Sequence, residues 1–405
     1  MAPDLASRLR RSLAEEQRRL RSSLVLNPVE NFPFAEDVAV AGGPLHGLYN
    51  SDKIRTREQR RATPIQFAGR QALGMDSRVV YEAWANALGA EDATLRVLSG
   101  LHAHIIFFMA MAVPGQRVLL LPVHAGGHLS GRAIVERLGL EVIEMAVDEQ
   151  ELCVDVDATI ARQDGEPVDY VFVDRSEGLV FEDFSRFADL EARRIFDASQ
   201  YLTNVIYGDH PNPLEWGFDY MIASVHKNFP GPQKALFATR RADEGWRAFL
   251  GNVSTFVSNM HITSTYAAGL TLSRDEWLRD YSRRMLAVAV RLEDELHELG
   301  VPVVRRRRDL PPTHHLWIRE ADDQRAFDTF EALEQCRIMT NYRQLPYSLG
   351  WGVRLGTSAA ARIGLQEDDV PALAELIAEI RRHGATPALR DRARTFNESI
   401  WARQA

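Results

Sequence analysis

Short apolar runs alternate with longer helical patterns between residues 78 and 240. The apolar runs predict strands, and segments such as 130–138 and 185–193 predict helices between them. Near-continuous apolar strands separated by helices indicate a mostly parallel sheet that is covered on both faces. The predicted strands are residues 117–121, 141–145, 170–173, 194–196 and 220–223.

The flanking segments carry other patterns. Leu5, Leu9, Leu13 and Leu20 recur at helical spacing, so residues 5–22 predict an amphipathic helix that packs on the body of the protein or on a second subunit. Residues 26–66 are rich in Gly, Pro and Asn and predict an irregular segment that lines a site.

The last third of the chain predicts a smaller α+β domain. A long amphipathic helix at 276–298 leads into it, and the following elements are strands at 301–304, 315–318 and 352–355 and helices at 324–335 and 369–383. We expect three parts: an N-terminal helical arm (1–35), a large domain (36–270) and a small C-terminal domain (271–405).

Composition narrows the class of protein. The chain has 405 residues, of which 45% are hydrophobic and 26% charged, and its net charge is −8. These are ordinary globular values, and no basic stripe favours nucleic acid. No apolar run reaches transmembrane length, and the N-terminus lacks the pattern of a signal peptide. With only Cys153 and Cys336, a disulfide framework is not expected, and we predict a cytoplasmic protein.

Residues 224–234 carry the strongest chemical signal. Lys227 follows small residues and a histidine and precedes a Pro-Gly-Pro turn. A lysine in this setting can form an imine with an aldehyde cofactor. Asp197, upstream at the end of a predicted strand, can hold the proton of a pyridine nitrogen. This pair predicts a pyridoxal phosphate site, and no metal is expected.

Other candidates lie where strands end or helices begin, and Asp174 follows the predicted strand 170–173. Ser99 and Gly100 precede an apolar helix at 104–113, whose first N–H groups can hold a phosphate. His128 follows two glycines and can stack on a pyridine ring. Arg354, in an apolar strand, fits a substrate carboxylate. Structural alternatives stay open for each candidate: an exposed lysine, a turn-capping aspartate, an ordinary N-cap, a loop histidine or a structural ion pair.

Together these motifs resemble serine hydroxymethyltransferase and its relatives among the fold-type I pyridoxal phosphate enzymes. The similarity runs from about residue 27 to residue 362. Asn31 lies in a segment like the family's opening motif, and Tyr49 resembles the tyrosine that crosses to the partner's active site. The other matching segments are 99–100 (phosphate loop), 126–129 (ring-stacking histidine), Asp197, 226–227 (Schiff-base dipeptide) and 354–357 (carboxylate-binding arginine).

The chain also departs from the family pattern. The catalytic glutamate of the folate-dependent enzymes falls at Ser51, and the histidine after the pyridinium aspartate is Gln200. Val29 and Leu101 replace two serines. Segments 230–234 and 258–261 resemble the L-threonine transaldolase branch instead. The departures argue against folate-dependent serine–glycine exchange.

The resemblance implies pyridoxal phosphate, an amino acid or amino-acid conjugate as substrate, and a homodimer with shared active sites. Aldol-type cleavage or transaldolase chemistry is expected first. β-Elimination of a cysteine S-conjugate, or its decarboxylation with oxidative deamination, as in lincosamide-type antibiotic assembly, is the alternative, and a non-catalytic scaffold is the third. The implied catalytic residues are Lys227, His128, Asp197 and Tyr49; those that bind the cofactor are Ser99, Gly100, Leu101, His128, Ser176, Asp197, Gln200, His226, Lys227 and Asn259; those that bind substrate are Arg354, Tyr49 and Ser51.

Overall fold

The computed structural model describes residues 3–49, 56–62, 71–163 and 167–404. Contacts divide the chain into two compact units. Residues 31–282 form the large unit, and residues 1–30 with 283–405 form the small unit. The three-part division expected from the sequence, with boundaries at residues 35 and 270, stays a proposal.

The described elements have the following bounds. The helices are α1 Pro3–Leu20, α2 Ala35–Ala41, α3 Arg57–Ala62, α4 Gln71–Ala87, α5 Gly100–Met111, α6 Leu129–Arg137, α7 Val156–Ala161, α8 Leu202–Ile206, α9 Glu244–Phe256, α10 Ile262–Leu272, α11 Asp275–Glu298, α12 Asp323–Gln335, α13 Ser358–Arg362, α14 Val370–His383 and α15 Pro387–Trp401. The strands are β1 Leu24–Val25, β2 Asp92–Thr94, β3 Arg117–Leu120, β4 Glu141–Glu144, β5 Val147–Asp148, β6 Cys153–Val154, β7 Tyr170–Val173, β8 Arg193–Asp197, β9 Tyr220–Ser224, β10 Ala235–Thr239, β11 His315–Arg319, β12 Ile338–Met339, β13 Asn341–Leu345 and β14 Gly350–Gly356.

The large unit is built on a seven-stranded sheet with the order β2-β10-β9-β8-β7-β3-β4. In this order, the five strands β9, β8, β7, β3 and β4 run parallel to one another. β10 runs antiparallel to both β9 and β2. The expected mostly parallel sheet of a fold-type I enzyme is therefore confirmed. Because the parallel strands share a direction, their carboxyl ends meet at one edge of the sheet.

Helix α5 is held firmly against this sheet. The side chains of β7, β9 and β10 are all buried. From α5, Phe107 and Phe108 pack into the same cluster, where they contact Tyr170 and Phe237. Large aromatic side chains contribute much of the buried apolar area in such a core. The first turn of α5 is consequently fixed relative to the strand ends.

The small unit contains a three-stranded antiparallel sheet with the order β11-β14-β13. Helix α12 packs against this sheet, and β1 pairs in parallel with β12. A buried ion pair joins Arg306 to Glu293 at 2.5 Å. Arg306 also donates to the carbonyl oxygens of Thr313 and His315. The pair is thus fully hydrogen-bonded, as a buried charge must be.

Two of the predicted elements were wrong. Residues 185–193 do not form a helix: Ser185–Asp189 is a 3₁₀ turn, and β8 already begins at Arg193. Phe184 and Phe187, three residues apart, stack on one another, so their spacing matches the period of a 3₁₀ helix as well. Residues 301–304 do not form a strand and make one bridge, Val303 to Ile318, because Pro302 cannot donate to a ladder.

The segment 26–66 is less irregular than expected, since it contains α2 and α3. Residues 50–55 and 63–66 of that segment lie outside the described part of the chain. Cys153 and Cys336 are both free thiols. Among the described helices, none combines the length and the apolarity that crossing a bilayer requires.

Candidate active site

A cavity of about 200 Å³ lies at the carboxyl ends of the parallel strands in the large unit. Asp174 follows β7, Asp197 ends β8 and Lys227 lies in the turn after β9, and all three side chains line the cavity. The strand-end placement inferred from the sequence agrees with this geometry. The cavity brings together these predicted residues: Ser99, Gly100, Leu101, His128, Ser176, Asp197, Gln200, His226 and Lys227.

The backbone around Lys227 is locked by hydrogen bonds. Asn31 donates its Nδ2–H to the Lys227 carbonyl oxygen at 2.5 Å, and Asn228 is anchored through its side chain to Thr203 and Asn204. Gly231 closes the turn with a bond from its N–H to the Val225 carbonyl oxygen. Only glycine fits there, because a Cβ would lie 2.5 Å from that oxygen. The turn therefore holds the half-buried lysine in one place.

His226 is a neutral imidazole beside Lys227. Burial, helped by the positive charge of Lys227, lowers the pKa of His226 to about 4. Both causes disfavour the charged ring. At neutral pH this side chain can accept a proton but does not carry one as a cation.

Asp197 is held as a carboxylate by two donors. The Ser199 N–H donates to Oδ1 at 2.7 Å, and His104 Nε2 contacts Oδ2 at 2.7 Å. Burial opposes ionisation of Asp197, but the hydrogen bond and charge of His104 outweigh it and lower its pKa to about 2. The carboxylate thus stays charged and keeps its orientation without any ligand.

His104 is a site residue that the sequence analysis missed, whereas Asp174 was expected at a strand end but was given no role. His104 is in the second turn of α5, within an apolar run, and is buried. Asp174 is also buried, and its Oδ2 lies 3.9 Å from His104 Nδ1. Burial raises the pKa of Asp174, and the Asp197 carboxylate adds to that rise. The available signal was a polar residue in an apolar helix, which needs a buried partner.

The start of α5 forms the predicted anion-binding end of the cavity. Ser99 is the N-cap, and its Oγ accepts the His102 N–H at 3.1 Å. A Cβ on Gly100 would lie 2.7 Å from Ser224 Oγ, so the helix start approaches the β9 strand end closely. The Ser199 and Ser224 hydroxyls also border the cavity. First-turn N–H groups with hydroxyls nearby suit a phosphate.

The loop after β3 brings His128 to the same cavity. Gly126 has φ of 92°, a left-handed conformation that favours glycine, and a Cβ on Gly127 would lie 2.2 Å from a carbonyl oxygen. The His128 N–H donates to the Asp174 carbonyl oxygen, and His128 Nδ1 accepts the Ser130 N–H. These bonds tie the β3 and β7 loops together and fix the imidazole ring.

Arg175 is a further wall residue that the sequence analysis missed. It is buried, its Nε lies 2.6 Å from Glu182 Oε2, and its Nη1 donates to the Ala125 carbonyl oxygen. Ser176 and Gln200 line the cavity as predicted. Arg175 is thus bound within the large unit by an ion pair and a hydrogen bond. Its bond to Ala125 supports the loop that carries His128.

The remaining predicted residues are not among those lining the cavity. Tyr49 is exposed, and its hydroxyl lies 3.0 Å from Ser258 Oγ; Asn259 contacts the Leu48 carbonyl oxygen at 3.4 Å. Ser51 lies outside the described residues. Arg354 belongs to β14 of the small unit, where it donates to Asn341 Oδ1.

The described cavity offers three kinds of chemistry at once. A lysine amine can bind a carbonyl carbon, a fixed carboxylate can accept a hydrogen bond from a protonated ring nitrogen, and a helix start can bind an anion. The chain has three lysines, Lys53, Lys227 and Lys234. Lys53 lies outside the described residues; of the other two, Lys234 is buried and donates to the Met260 carbonyl oxygen, and Lys227 lines the cavity.

Comparisons with known proteins point to one family. The family model for serine hydroxymethyltransferase matches residues 4–377. Serine hydroxymethyltransferase of Archaeoglobus fulgidus is 31% identical over 334 residues, which are 76% of this chain and 74% of the relative. That of Picrophilus torridus is 28% identical over 296 residues, 70% of this chain and 68% of the relative. The solved L-threonine transaldolase from Pseudomonas fluorescens shares the fold, with a TM-score of 0.90 at 22% identity over 98% of this chain and 92% of that one.

Proposed function

The chain belongs to the serine hydroxymethyltransferase family and is a pyridoxal-phosphate-dependent enzyme, and from this premise we propose that it catalyses aldol-type chemistry at the Cα of an amino acid. A β-hydroxy amino acid such as threonine loses an aldehyde, and the remaining glycine unit is added to a second aldehyde. The proposed reaction is therefore a transaldolase reaction, in specialised metabolism, and not folate-dependent serine–glycine exchange.

The residues of the cavity fit the cofactor. The Ser99 hydroxyl and the first turn of α5 suit its phosphate, and the fixed Asp197 carboxylate suits its ring nitrogen. The close approach of Gly100 to Ser224 leaves no room for a larger side chain at that end. When bound, the cofactor supplies an electron sink for the pair left when a bond to Cα breaks.

Each residue of the cavity has a defined task in this proposal. Lys227 holds the cofactor's carbonyl carbon, and Asp197 keeps a proton on the ring nitrogen through a charge-assisted hydrogen bond. His128 covers one face of the ring. Because Asp197 and His128 are each fixed by their own hydrogen bonds, the cavity holds the reacting groups in one orientation, which is a large part of catalysis.

Proton transfer in this proposal relies on His226. Cleavage of a β-hydroxy amino acid requires a base that takes the hydroxyl proton. The lowered pKa of His226, about 4, leaves a neutral imidazole in the cavity beside Lys227. Gln200, which is buried and also lines the cavity, can only hydrogen-bond. Gln200 occupies the position at which the family has a histidine.

A single observation carries the choice of reaction: the cofactor seat is complete, while the acid–base groups of the folate reaction are replaced. Ser51 and Gln200 stand at those positions, and neither side chain exchanges a proton at neutral pH. Aldol cleavage of threonine needs no folate. The similarity in fold to an L-threonine transaldolase supports the same choice.

The experiment is an incubation of the purified enzyme with threonine and an aromatic aldehyde. We expect acetaldehyde, detected with alcohol dehydrogenase, and a β-hydroxy amino acid that carries the aromatic group, detected by mass spectrometry. Serine with tetrahydrofolate should give no glycine beyond the background of a boiled sample. Absence of acetaldehyde together with folate-dependent glycine formation would refute the proposal.

A cysteine S-conjugate, as in lincosamide-type antibiotic assembly, is the second candidate substrate. Val29, Ser51 and Gln200 also suit a site remodelled for a bulky conjugate. The same enzyme should be incubated with S-alkyl cysteines. Pyruvate with a free thiol would indicate β-elimination, and carbon dioxide would indicate decarboxylation; either product, without threonine cleavage, would replace the first proposal.

We further propose a cytoplasmic homodimer in which Tyr49 and the 258–261 loop serve the partner's active site. On α1, Leu5, Leu9 and Leu13 are 58–60% exposed, and α5 exposes a second apolar row. A second copy would cover such faces. Sedimentation equilibrium should give twice the chain mass, and a fully active monomer would contradict this.

Arg354 is retained, on the family resemblance, as the group that binds the substrate carboxylate.

A further inference from the structure

We propose that Asp174 is the counter-charge that lets Asp197 serve two cations, His104 and the protonated ring nitrogen of the cofactor. Asp174 and His104 are then positioning residues, which act on the cofactor through Asp197. The proposal concerns the protonation state of the cofactor and does not depend on which bond the enzyme breaks.

The geometry ties the three side chains into one buried cluster. His104 Nε2 lies 2.7 Å from Asp197 Oδ2, and the other carboxylate oxygen accepts the Ser199 N–H. The His104 ring packs edge-on against Phe172, with ring centroids 4.9 Å apart. The imidazole is thus held by a hydrogen bond on one side and by an aromatic contact, and its Nδ1 is directed to Asp174.

Asp174 acts on this cluster through charge. Its Oδ2 lies 3.9 Å from His104 Nδ1, too far for a hydrogen bond, and has no hydrogen-bond partner among the described residues. Gly131 of α6 makes room for it, because a Cβ at that position would lie 2.8 Å from Oδ2. A buried carboxylate with no hydrogen bond at one oxygen is costly unless a cation compensates it.

The charge balance of the cluster in the loaded enzyme includes the cofactor ring. Burial lowers the pKa of His104, but Asp174 and Asp197 outweigh it, so the net shift is upward and favours an imidazolium. A protonated ring adds a second cation next to Asp197. Two cations beside one buried carboxylate leave an uncompensated charge, whereas two cations beside two carboxylates leave none.

Two other titratable groups face the cluster. Lys227 disfavours the charged form of His104, while Lys227 and His128 both favour the carboxylate of Asp174. Burial and the Asp197 carboxylate outweigh them, so the net shift in the pKa of Asp174 is upward. Attachment of the cofactor to Lys227 removes the separate ammonium charge of that lysine and adds the ring cation. In the loaded enzyme the ring cation is then the charge that favours the ionised form of Asp174.

The first test compares two ligands of the apoprotein by fluorescence titration: pyridoxal phosphate and its analogue with carbon in place of the ring nitrogen. In Asp174→Asn we expect pyridoxal phosphate to bind about ten- to a hundredfold more weakly, the range for a lost interaction with a charged group. Binding of the analogue should be unchanged. Equal losses for both ligands, or no loss for either, would overturn the proposal.

A second substitution separates charge balance from packing. The double variant His104→Asn with Asp174→Asn removes both the extra cation and its counter-charge, so affinity for pyridoxal phosphate should recover toward that of the unchanged protein. Failure to recover would show that Asp174 acts through packing alone. His210→Asn is the matched control: it removes another buried histidine, which stacks on Phe181, and should leave the ratio of the two affinities unchanged.

A spectroscopic test needs no variant to fold. With ¹⁵N-labelled histidine, the His104 ring signals should report an imidazolium in the apoprotein and in the loaded protein at pH 7.5. In Asp174→Asn, cofactor binding should convert His104 to the neutral ring. A neutral His104 in the unchanged apoprotein would overturn the proposal even if no variant could be purified.

Discussion

Two regions of the large unit carry predicted site residues, and they are built in opposite ways. The cofactor seat, formed by Ser99, His128, Asp197 and Lys227, lies at strand ends and a helix start and is held by short hydrogen bonds. The rim, formed by Tyr49, Ser258 and Asn259, has an exposed Tyr49 and few described contacts.

The difference separates two requirements on one enzyme. Cofactor chemistry needs fixed charges in a low-dielectric site, which only a buried, fully bonded framework supplies. Substrate choice is carried by loops that tolerate replacement. On the proposed function, the departures from the family at positions 29, 51 and 200 change the substrate side, while Ser99, His128, Asp197 and Lys227 of the seat match the family pattern.

The largest expected effect is at Lys227. In Lys227→Ala the cofactor cannot be attached covalently, so turnover should be lost and borohydride reduction should fix no cofactor on the chain. Peptide mass spectrometry of the reduced, unchanged enzyme should locate the cofactor on Lys227. Lys234→Met is the matched control, since Lys234 is buried seven residues away, and it should still be labelled at Lys227. A label on Lys234 would contradict the assignment of the seat.

A smaller loss is expected at Asp197. In Asp197→Asn the neutral amide cannot hold a proton on the ring nitrogen, so kcat should fall by about 10²–10³, as for the loss of one electrostatic stabiliser. The exposed Asp189, changed to Asn, should leave kcat unaltered. If Asp197→Asn retained full activity, the seat would not work through its buried charge.

The next effect is on stability and concerns His226. Its pKa of about 4 in the folded chain lies below the usual value of 6.5, so between those pH values the unfolded chain binds the proton and the folded chain does not. Stability is therefore lost as pH falls from about 6.5 to 4, by up to about 3 kcal/mol. Urea unfolding of His226→Asn should lack this loss. At pH 8 both side chains are neutral, so the difference in unfolding free energy between the two proteins there reports packing alone. If the two unfolding free energies changed with pH in parallel, the prediction would be disproved.

The smallest effect is expected on the rim. Tyr49→Phe removes a hydroxyl that lies 3.0 Å from Ser258 Oγ, and one exposed hydrogen bond contributes about 1 kcal/mol, so kcat/KM should fall less than about tenfold. Ser258→Ala should give the same loss, and the double variant no more than either. A loss at Tyr49 greater than that of Asp197→Asn would reverse the comparison between rim and seat.

Much of the fold and of the seat could be predicted from the chain. The apolar runs located β3, β4, β7, β8 and β9 within a residue or two, and fold-type I architecture was confirmed. The edge strand β2 and its neighbour β10 were not predicted. β10 follows directly after the turn that carries Lys227 and pairs antiparallel with β9. Because an antiparallel strand can follow a tight turn, no helix precedes β10 to mark its start in the sequence.

His104 shows why part of the site could not be predicted. Its sequence neighbours are apolar, and its partner Asp197 is 93 residues away. The spacing along α5 indicates that residue 104 faces the core. Which side chain it meets there depends on the register of β8 beside that helix. Asp174 is similar: its place after β7 was predicted, but its pairing with His104 was not.

The sequence by itself determined the cofactor, because Lys227 and Asp197 are each marked by short-range patterns: a small-residue run, a Pro-Gly-Pro turn and an apolar strand. Only the tertiary structure decided how Asp197 is kept ionised. His104, together with Lys227 and the Ser199 N–H, outweighs burial and lowers the pKa of Asp197, and electrostatic energies depend on distances of a few ångströms between residues far apart in the chain. Patterns along a chain carry propensity and spacing, whereas the charge state of a buried group is a property of its surroundings.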